Sequence, residues 1–168
     1  MRKTKTLGIQ ITGSDPCPTL QTYVDANWGG EGDRSTHGFL LLHGKNPILW
    51  QSKRQATVAT STAQAEYIAL SFSVRECLWI SNLYRPLLYD PTPTLLSDNK
   101  TAIGIATDSM SRKRTRHLFR EFNLINEYIT KGKISLQWVG TNEQMADILT
   151  KPLGHLNVKK FIDTINFA

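Results

Sequence analysis

The stretch LQTYVDANWGGEGDRSTHGFLLLHGKNPILWQSK, residues 20–53, holds three runs of β-forming or apolar residues separated by two turns. Leu20–Ala26 predicts a strand that ends at Asn27-Trp28-Gly29-Gly30, and Gly29 to Arg34 make the first turn. Gly38–His43, with its Phe-Leu-Leu-Leu run, predicts a second strand. Gly44-Lys45-Asn46-Pro47 is the next turn and Ile48–Lys53 a third strand. Consecutive strands joined this tightly predict an antiparallel meander.

Beyond residue 60 the period changes. Ser61 and Gln64 are spaced as a capping box, and Thr62 to about Leu83 carries helical spacing, with Ala65, Ile68, Phe72, Trp79 and Leu83 expected on one buried face. Pro86, Pro91 and Pro93 stop that helix ahead of a short strand at Thr94–Ser97. Helices are predicted at Asn99–Thr107 and Leu118–Thr130, then a fifth strand at Ile134–Val139. Thr141 to Gln144 should cap a last short helix through Thr150, and a small helix at Val158–Ile165 closes the chain. The order β-β-β-α-β-α-α-β-α predicts an α/β fold with a mixed five-stranded sheet covered by helices.

Length and charge narrow the function. At 168 residues the chain suits one domain. Its 20 Lys and Arg against 14 Asp and Glu give a net charge of +6, which favours a polyanionic partner, nucleic acid first and an anionic membrane second. No apolar run approaches the ~20 residues of a membrane span, and of the two polyanionic classes nucleic acid is the partner expected, with no membrane. Cys17 and Cys77 are too few for a disulfide scaffold or a Cys-based zinc site.

Four carboxylates stand at structurally awkward places. Asp25 interrupts a strand whose neighbours want burial, and Glu66 sits in the second turn of a helix lined by small and apolar residues. Asp98 ends the run Leu95-Leu96-Ser97, and Asp147 opens the last helix. Singly, each has a plain structural reading as cap, turn or solvated residue. In the mixed sheet, however, the first and fourth strands lie side by side and the first and last helices pack over them, which gathers all four. Such a cluster without matching cations repels itself and calls for a divalent ion, and all-oxygen ligands select Mg²⁺, or Mn²⁺, over zinc. Two such ions ~4 Å apart are a standard device for phosphodiester cleavage.

The chain resembles the ribonuclease H domain of copia-type LTR retrotransposon polyproteins. The matching stretches are Tyr23 to Trp28, Asp33 to Thr36 with Gly38, Trp50 to Gln55, Ser61 to Ala69, Ser97-Asp98-Asn99 with Ala102-Ile103, and Ala146 to Leu153. The resemblance implies a ribonuclease H-like domain over 20–153, with 1–19 a remnant of the linker from a reverse transcriptase domain and 154–168 a tail. It implies metal-dependent hydrolysis of the RNA strand of RNA–DNA hybrids, leaving a 5′ phosphate, with Asp25, Glu66, Asp98 and Asp147 catalytic and holding two Mg²⁺ ions. Asp25 would bridge the ions, Glu66 and Asp98 hold the leaving-group side, and Asp147 the water side. The implied partners are hybrid and the polyprotein's reverse transcriptase domain, and nothing sets an oligomeric state. The implied location is cytoplasmic, in retrotransposon particles, with the nucleus also open. A catalytically silent nucleic-acid-binding or scaffold module is the alternative.

Other residues are weighed by their chemistry. Many ribonucleases H carry a His in the loop before the last helix. Here Gly140 to Gln144 hold none, so proton transfer falls to Glu143 or water. Arg112, Lys113, Arg114 and Arg116 form the densest basic cluster, a candidate clamp for the hybrid backbone, with His117 a candidate phosphate contact. Lys53 and Arg54 are further substrate candidates, and Asn99 is a candidate reader of a ribose 2′-hydroxyl as well as a helix cap. Trp28, Trp50, Trp79 and Trp138 are expected to pack in the core or on strand faces.

Overall fold

The computed structural model describes residues 7–13, 19–30, 32–86, 92–107 and 119–165, with 119–123 described for backbone alone. In chain order the elements are β1 (Leu20–Asn27), β2 (Thr36–His43), β3 (Asn46–Arg54), α1 (Thr62–Tyr84), β4 (Thr94–Ser97), α2 (Lys100–Thr107), α3 (Phe119–Thr130) and β5 (Ser135–Trp138). A 3₁₀ turn (Thr141–Glu143), α4 (Asp147–Thr150) and α5 (His155–Thr164) follow. The strands form one mixed sheet in the order β3-β2-β1-β4-β5. β1, β2 and β3 pair antiparallel, whereas β1–β4 and β4–β5 are parallel. The meander turns at Gly44, whose φ of 61° suits a residue without Cβ.

One face of β1 sends Leu20, Val24 and Ala26 into the main core, beneath α1, α2 and α3. Thr22, on the same face, hydrogen-bonds the Cys77 thiol of α1 at 3.2 Å. The loop into α1 is fastened at two points: Trp28 Nε1 donates to the Ala59 carbonyl at 2.9 Å, and buried Gln55 donates through Nε2 to the Ala65 carbonyl at 2.8 Å. Ser61 caps the helix by accepting the Gln64 amide, and the Gln64 side chain reaches back to the Thr60 amide at 2.7 Å. On the opposite face a smaller cluster gathers Leu40, Leu42 and Ile165 with Tyr23, Met145, Leu149 and Phe161.

Three expectations need correction. The buried face of α1 is not the Trp79–Leu83 face; both side chains are more than half exposed. The seam against the sheet is Ala65, Ala69, Ser73, Cys77 and Ser81, small residues four apart that bring the helix close to the strands. Of the tryptophans, expected in the core or on strand faces, Trp79 is instead exposed on α1, Trp50 and Trp138 stand half-exposed on β3 and β5, and Trp28 packs against the core. Thr141 to Gln144, expected to cap the short helix through Thr150, instead form a separate 3₁₀ turn that is parted from α4 at Gln144. Its side chain inserts into the sheet, donating to the Val24 carbonyl at 3.0 Å and accepting the Ala146 amide at 3.2 Å. That insertion takes an extended backbone (ψ 101°), which ends the turn and restarts α4 at Asp147. Among the described residues no helix is long and apolar enough to cross a membrane.

Candidate active site

Parallel pairing of β1 and β4 sets Tyr23 beside Leu96. Two residues on come Asp25, still paired with Gly38 of β2, and Asp98, one residue past the end of β4, at the carboxyl edge where the β1–β4 pairing has ended and side chains can gather around a ligand. Glu66, in the second turn of α1, reaches the same edge from above. One carboxylate oxygen from each of Asp25, Glu66 and Asp98 lies within 4.8 Å of the other two.

Asp25 and Glu66 are buried and Asp98 is half-buried. Burial pushes the Glu66 carboxyl up to about 9, with the Asp25 and Asp98 charges adding to it and the Ala26 amide opposing. Glu66 Oε2 is buried without a hydrogen-bond partner. An orphaned buried carboxylate oxygen facing two more carboxylates fits a hard divalent cation, and the all-oxygen donor set suits Mg²⁺ or Mn²⁺.

Asp147 arrives from the other face of the sheet, on the four-residue α4. It lies outside the close trio and meets Asp25 through Lys151. The Lys151 ammonium sits 3.3 Å from Asp25 Oδ1 and 2.9 Å from Asp147 Oδ1, and the Thr150 hydroxyl donates to Asp25 Oδ2. Burial raises the Asp25 carboxyl, while the Thr150 bond and the Lys151 charge pull it back. The cluster, expected to lack a matching cation, has one in Lys151. Its signal was present in the chain, since Asp147 and Lys151 are spaced i, i+4 on a helical segment. Close approach of α4 depends on Gly38 of β2. A Cβ there would come within 2.7 Å of the Leu149 Cβ and 3.0 Å of the Thr150 Cγ2.

The rim is built by β5 and the start of α2. Trp138 Nε1 donates to the Asp98 carbonyl at 3.1 Å, fixing the backbone that presents the carboxylate, and Lys100 Nζ lies 4.7 Å from the Trp138 ring centroid. Asn99 caps α2, its Oδ1 accepting the Ala102 amide at 2.9 Å. Glu143 lies on the exposed 3₁₀ turn and borders the same cleft as Asp147. Lys53 and Arg54 lie two strands away from Asp25, at the end of β3, both exposed. Arg54 is paired with Asp33 at 3.1 Å. Arg112, Lys113, Arg114, Arg116 and His117 lie outside the described residues.

No protein-family model matches the chain. The retrovirus-related Pol polyprotein from transposon RE2 of Arabidopsis thaliana is 32% identical over 148 residues, covering 85% of this chain. The corresponding polyprotein from transposon TNT 1-94 of Nicotiana tabacum is 35% identical over 142 residues, covering 83%. The chain spans 10% of the length of each. Among solved structures, LC11-RNase H1 isolated from compost superposes with a TM-score of 0.63 at 16% identity, covering 78% of this chain and 91% of that one. The same protein in complex with RNA/DNA hybrid gives 0.53 at 16% identity, covering 78% and 93%. At such identity the likeness is one of fold.

Proposed function

This chain is a ribonuclease H-fold homologue of retrotransposon Pol polyproteins, and from that premise we propose that it hydrolyses the RNA strand of RNA–DNA hybrids with two Mg²⁺ ions. One observation carries the reading: three carboxylates within 4.8 Å at the carboxyl edge of the sheet, one of them with a buried, unpartnered oxygen. Asp25, Glu66 and Asp98 would hold the ion on the leaving-group side, and Asp25 with Asp147 the one on the water side. When bound, the ions supply charge stabilisation on the phosphate and ease deprotonation of the attacking water.

The chain's own groups do the rest. Trp138 fixes the Asp98 backbone, and Gln144 and Gly38 hold α4 against the sheet so that Asp147 faces Asp25. Glu143 or bulk water exchanges protons with the leaving oxygen, since the loop lacks a His. The +6 charge favours a nucleic-acid duplex, and the hybrid-bound structural relative supports the hybrid as that duplex. In the polyprotein, the reverse transcriptase domain is the proposed partner and cytoplasmic retrotransposon particles the proposed setting.

The test is cleavage of an end-labelled hybrid by the purified chain. Cleavage with Mg²⁺, arrest by EDTA, a 5′-phosphate product and loss of cleavage in Asp98→Asn support the reading. Hybrid binding without cleavage under every divalent ion selects the scaffold alternative instead.

A further inference from the structure

The acidic pocket has two unlike halves. Around Glu66 and Asp98 the carboxylates crowd one another, and Glu66 Oε2 has no partner. Between Asp25 and Asp147 every anion is answered: Lys151 bridges the two Oδ1 atoms at 3.3 and 2.9 Å, and Thr150 holds Asp25 Oδ2. Both answering groups come from α4 and the residue after it, so the contacts that dock α4 on β1 also neutralise this half. The Lys151 side chain is about one-third exposed, leaving it a path out to solvent.

An ammonium and a divalent ion compete for the same place here. Mg²⁺ takes carboxylate oxygens at ~2.1 Å in a strict octahedron. An ion held by Asp25 and Asp147 would therefore lie against the present position of Nζ, where two cations repel strongly in a partly desolvated site. We propose that Lys151 is the resident counter-cation of the Asp147 half: it holds Asp25 and Asp147 together before metal arrives, and it leaves that position when a divalent ion enters. Resting on the metal-dependent reading above, the inference makes the two halves unequal. The Asp147 half accepts Mg²⁺ against Lys151, whereas among the described residues no ammonium is paired with Glu66. Lys151 is thus a positioning residue that sets how readily the second ion loads.

The experiment is calorimetric titration of MgCl₂ into the full chain, wild type against Lys151→Met and Lys151→Arg, alongside thermal unfolding in EDTA. Lys151→Met keeps the length of the side chain and removes the charge. It should bind the weaker Mg²⁺ at least tenfold tighter and melt lower than wild type in EDTA. Lys151→Arg, which keeps the charge, should stay close to wild type in both. A second measurement uses the wild type and so does not depend on any variant folding. Lys151 should be protected from amine acylation in EDTA and become reactive at saturating Mg²⁺, with Lys45 as the internal reference. Mg²⁺ binding that Lys151→Met leaves unchanged, or Lys151 labelling that Mg²⁺ leaves unchanged, overturns the inference and leaves the metal site standing. Absence of Mg²⁺ binding to every form overturns the metal-dependent reading itself.

Discussion

On one face of the sheet α1, α2 and α3 bury Leu20, Val24, Phe39, Leu41, Leu70 and Leu95 essentially completely. On the other face the smaller cluster around Leu40, Leu42 and Ile165 lies beside a cleft of about 560 Å³, bordered by Tyr23, Glu143, Asp147, Lys160 and Phe161. The acidic pocket draws on both. Glu66 rides a 23-residue helix anchored in the thick core, while Asp147 rides a four-residue helix on the thin side. Asp25 and Asp98 sit at strand ends between them. The difference separates two kinds of consequence. Damage to the thick face should act on the folding equilibrium, whereas damage to the thin face should act on where Asp147 and Lys151 stand.

The largest stability effect is expected at Leu70, a fully buried side chain of α1. Leu70→Ala should cost ~2–5 kcal/mol by urea unfolding, through lost transfer energy and the cavity left behind. Well below its transition, cleavage per folded molecule should match wild type. A rate that falls in step with stability would break the division between the faces.

Gly38→Ala is the counterpart on the thin side. The added methyl meets Leu149 and Thr150 of α4, so the short helix rather than the sheet must give way. Overpacking of this kind costs ~1–3 kcal/mol. The misplacement of Asp147 and Lys151 should lower cleavage by ~10²-fold, far beyond what the stability loss explains. Hydrogen exchange in α1 should stay as in wild type. Wild-type cleavage in Gly38→Ala would show that Asp147 tolerates displacement.

A third expectation concerns pH. The Glu66 carboxyl, pushed up to about 9 from 4.5 mainly by burial, keeps a proton in the folded chain that the unfolded chain has already released. The Glu66 contribution to metal-free stability should therefore be fully present below pH 4.5 and be lost as pH rises towards 9; burial raises Asp25 in the same sense. The slope should reach ~3–5 °C of Tm per pH unit. Melting curves in EDTA from pH 5 to 9 measure it, and Glu66→Gln should flatten the dependence. Saturating Mg²⁺ should flatten it too, by holding the carboxylates ionised. Equal slopes in wild type and Glu66→Gln would place the strain elsewhere.

The meander was legible from local signals, and the meeting of Asp25 with Asp98 from the expectation that the first and fourth strands lie side by side. Turn residues delimit the meander, and once β1 and β4 are parallel neighbours their carboxyl ends coincide. The α1 face was misread for a physical reason. Large apolar residues dominate any periodicity count, yet a helix pressed against a sheet is seamed by its smallest residues, here Ala65, Ala69, Ser73, Cys77 and Ser81. Lys151 was missed because Thr150-Lys151-Pro152-Leu153 reads locally as the end of a helix. Its partner Asp25 lies 126 residues away, and that pairing comes from tertiary structure alone. Gln144 is the same case, a polar residue whose acceptor, Val24, lies on a distant strand.

The smallest expected effect falls at Asn99, where the thick face meets the site. Its Oδ1 caps α2, whose Ala102 and Ala106 belong to the main core, so part of its role is structural. Asn99→Ala should cost ~1 kcal/mol, a drop of ~2–4 °C, and Asn99→Ser, which retains a capping oxygen, should recover most of it. Beside Asp98, the residue is also the proposed contact for a ribose of the bound strand, where a 2′-hydroxyl would distinguish RNA from DNA. The Ser side chain is shorter and lacks the amide donor, so it restores the cap without restoring that reach. The expected outcome is that Asn99→Ser melts near wild type yet loses ~3–10-fold in preference for hybrid over DNA duplex, the size of one neutral hydrogen bond. Equilibrium binding to both duplexes at one fixed salt concentration decides it. If Asn99→Ser matches wild type in preference as well as in Tm, Asn99 is a cap alone and the thick face contributes structure without recognition.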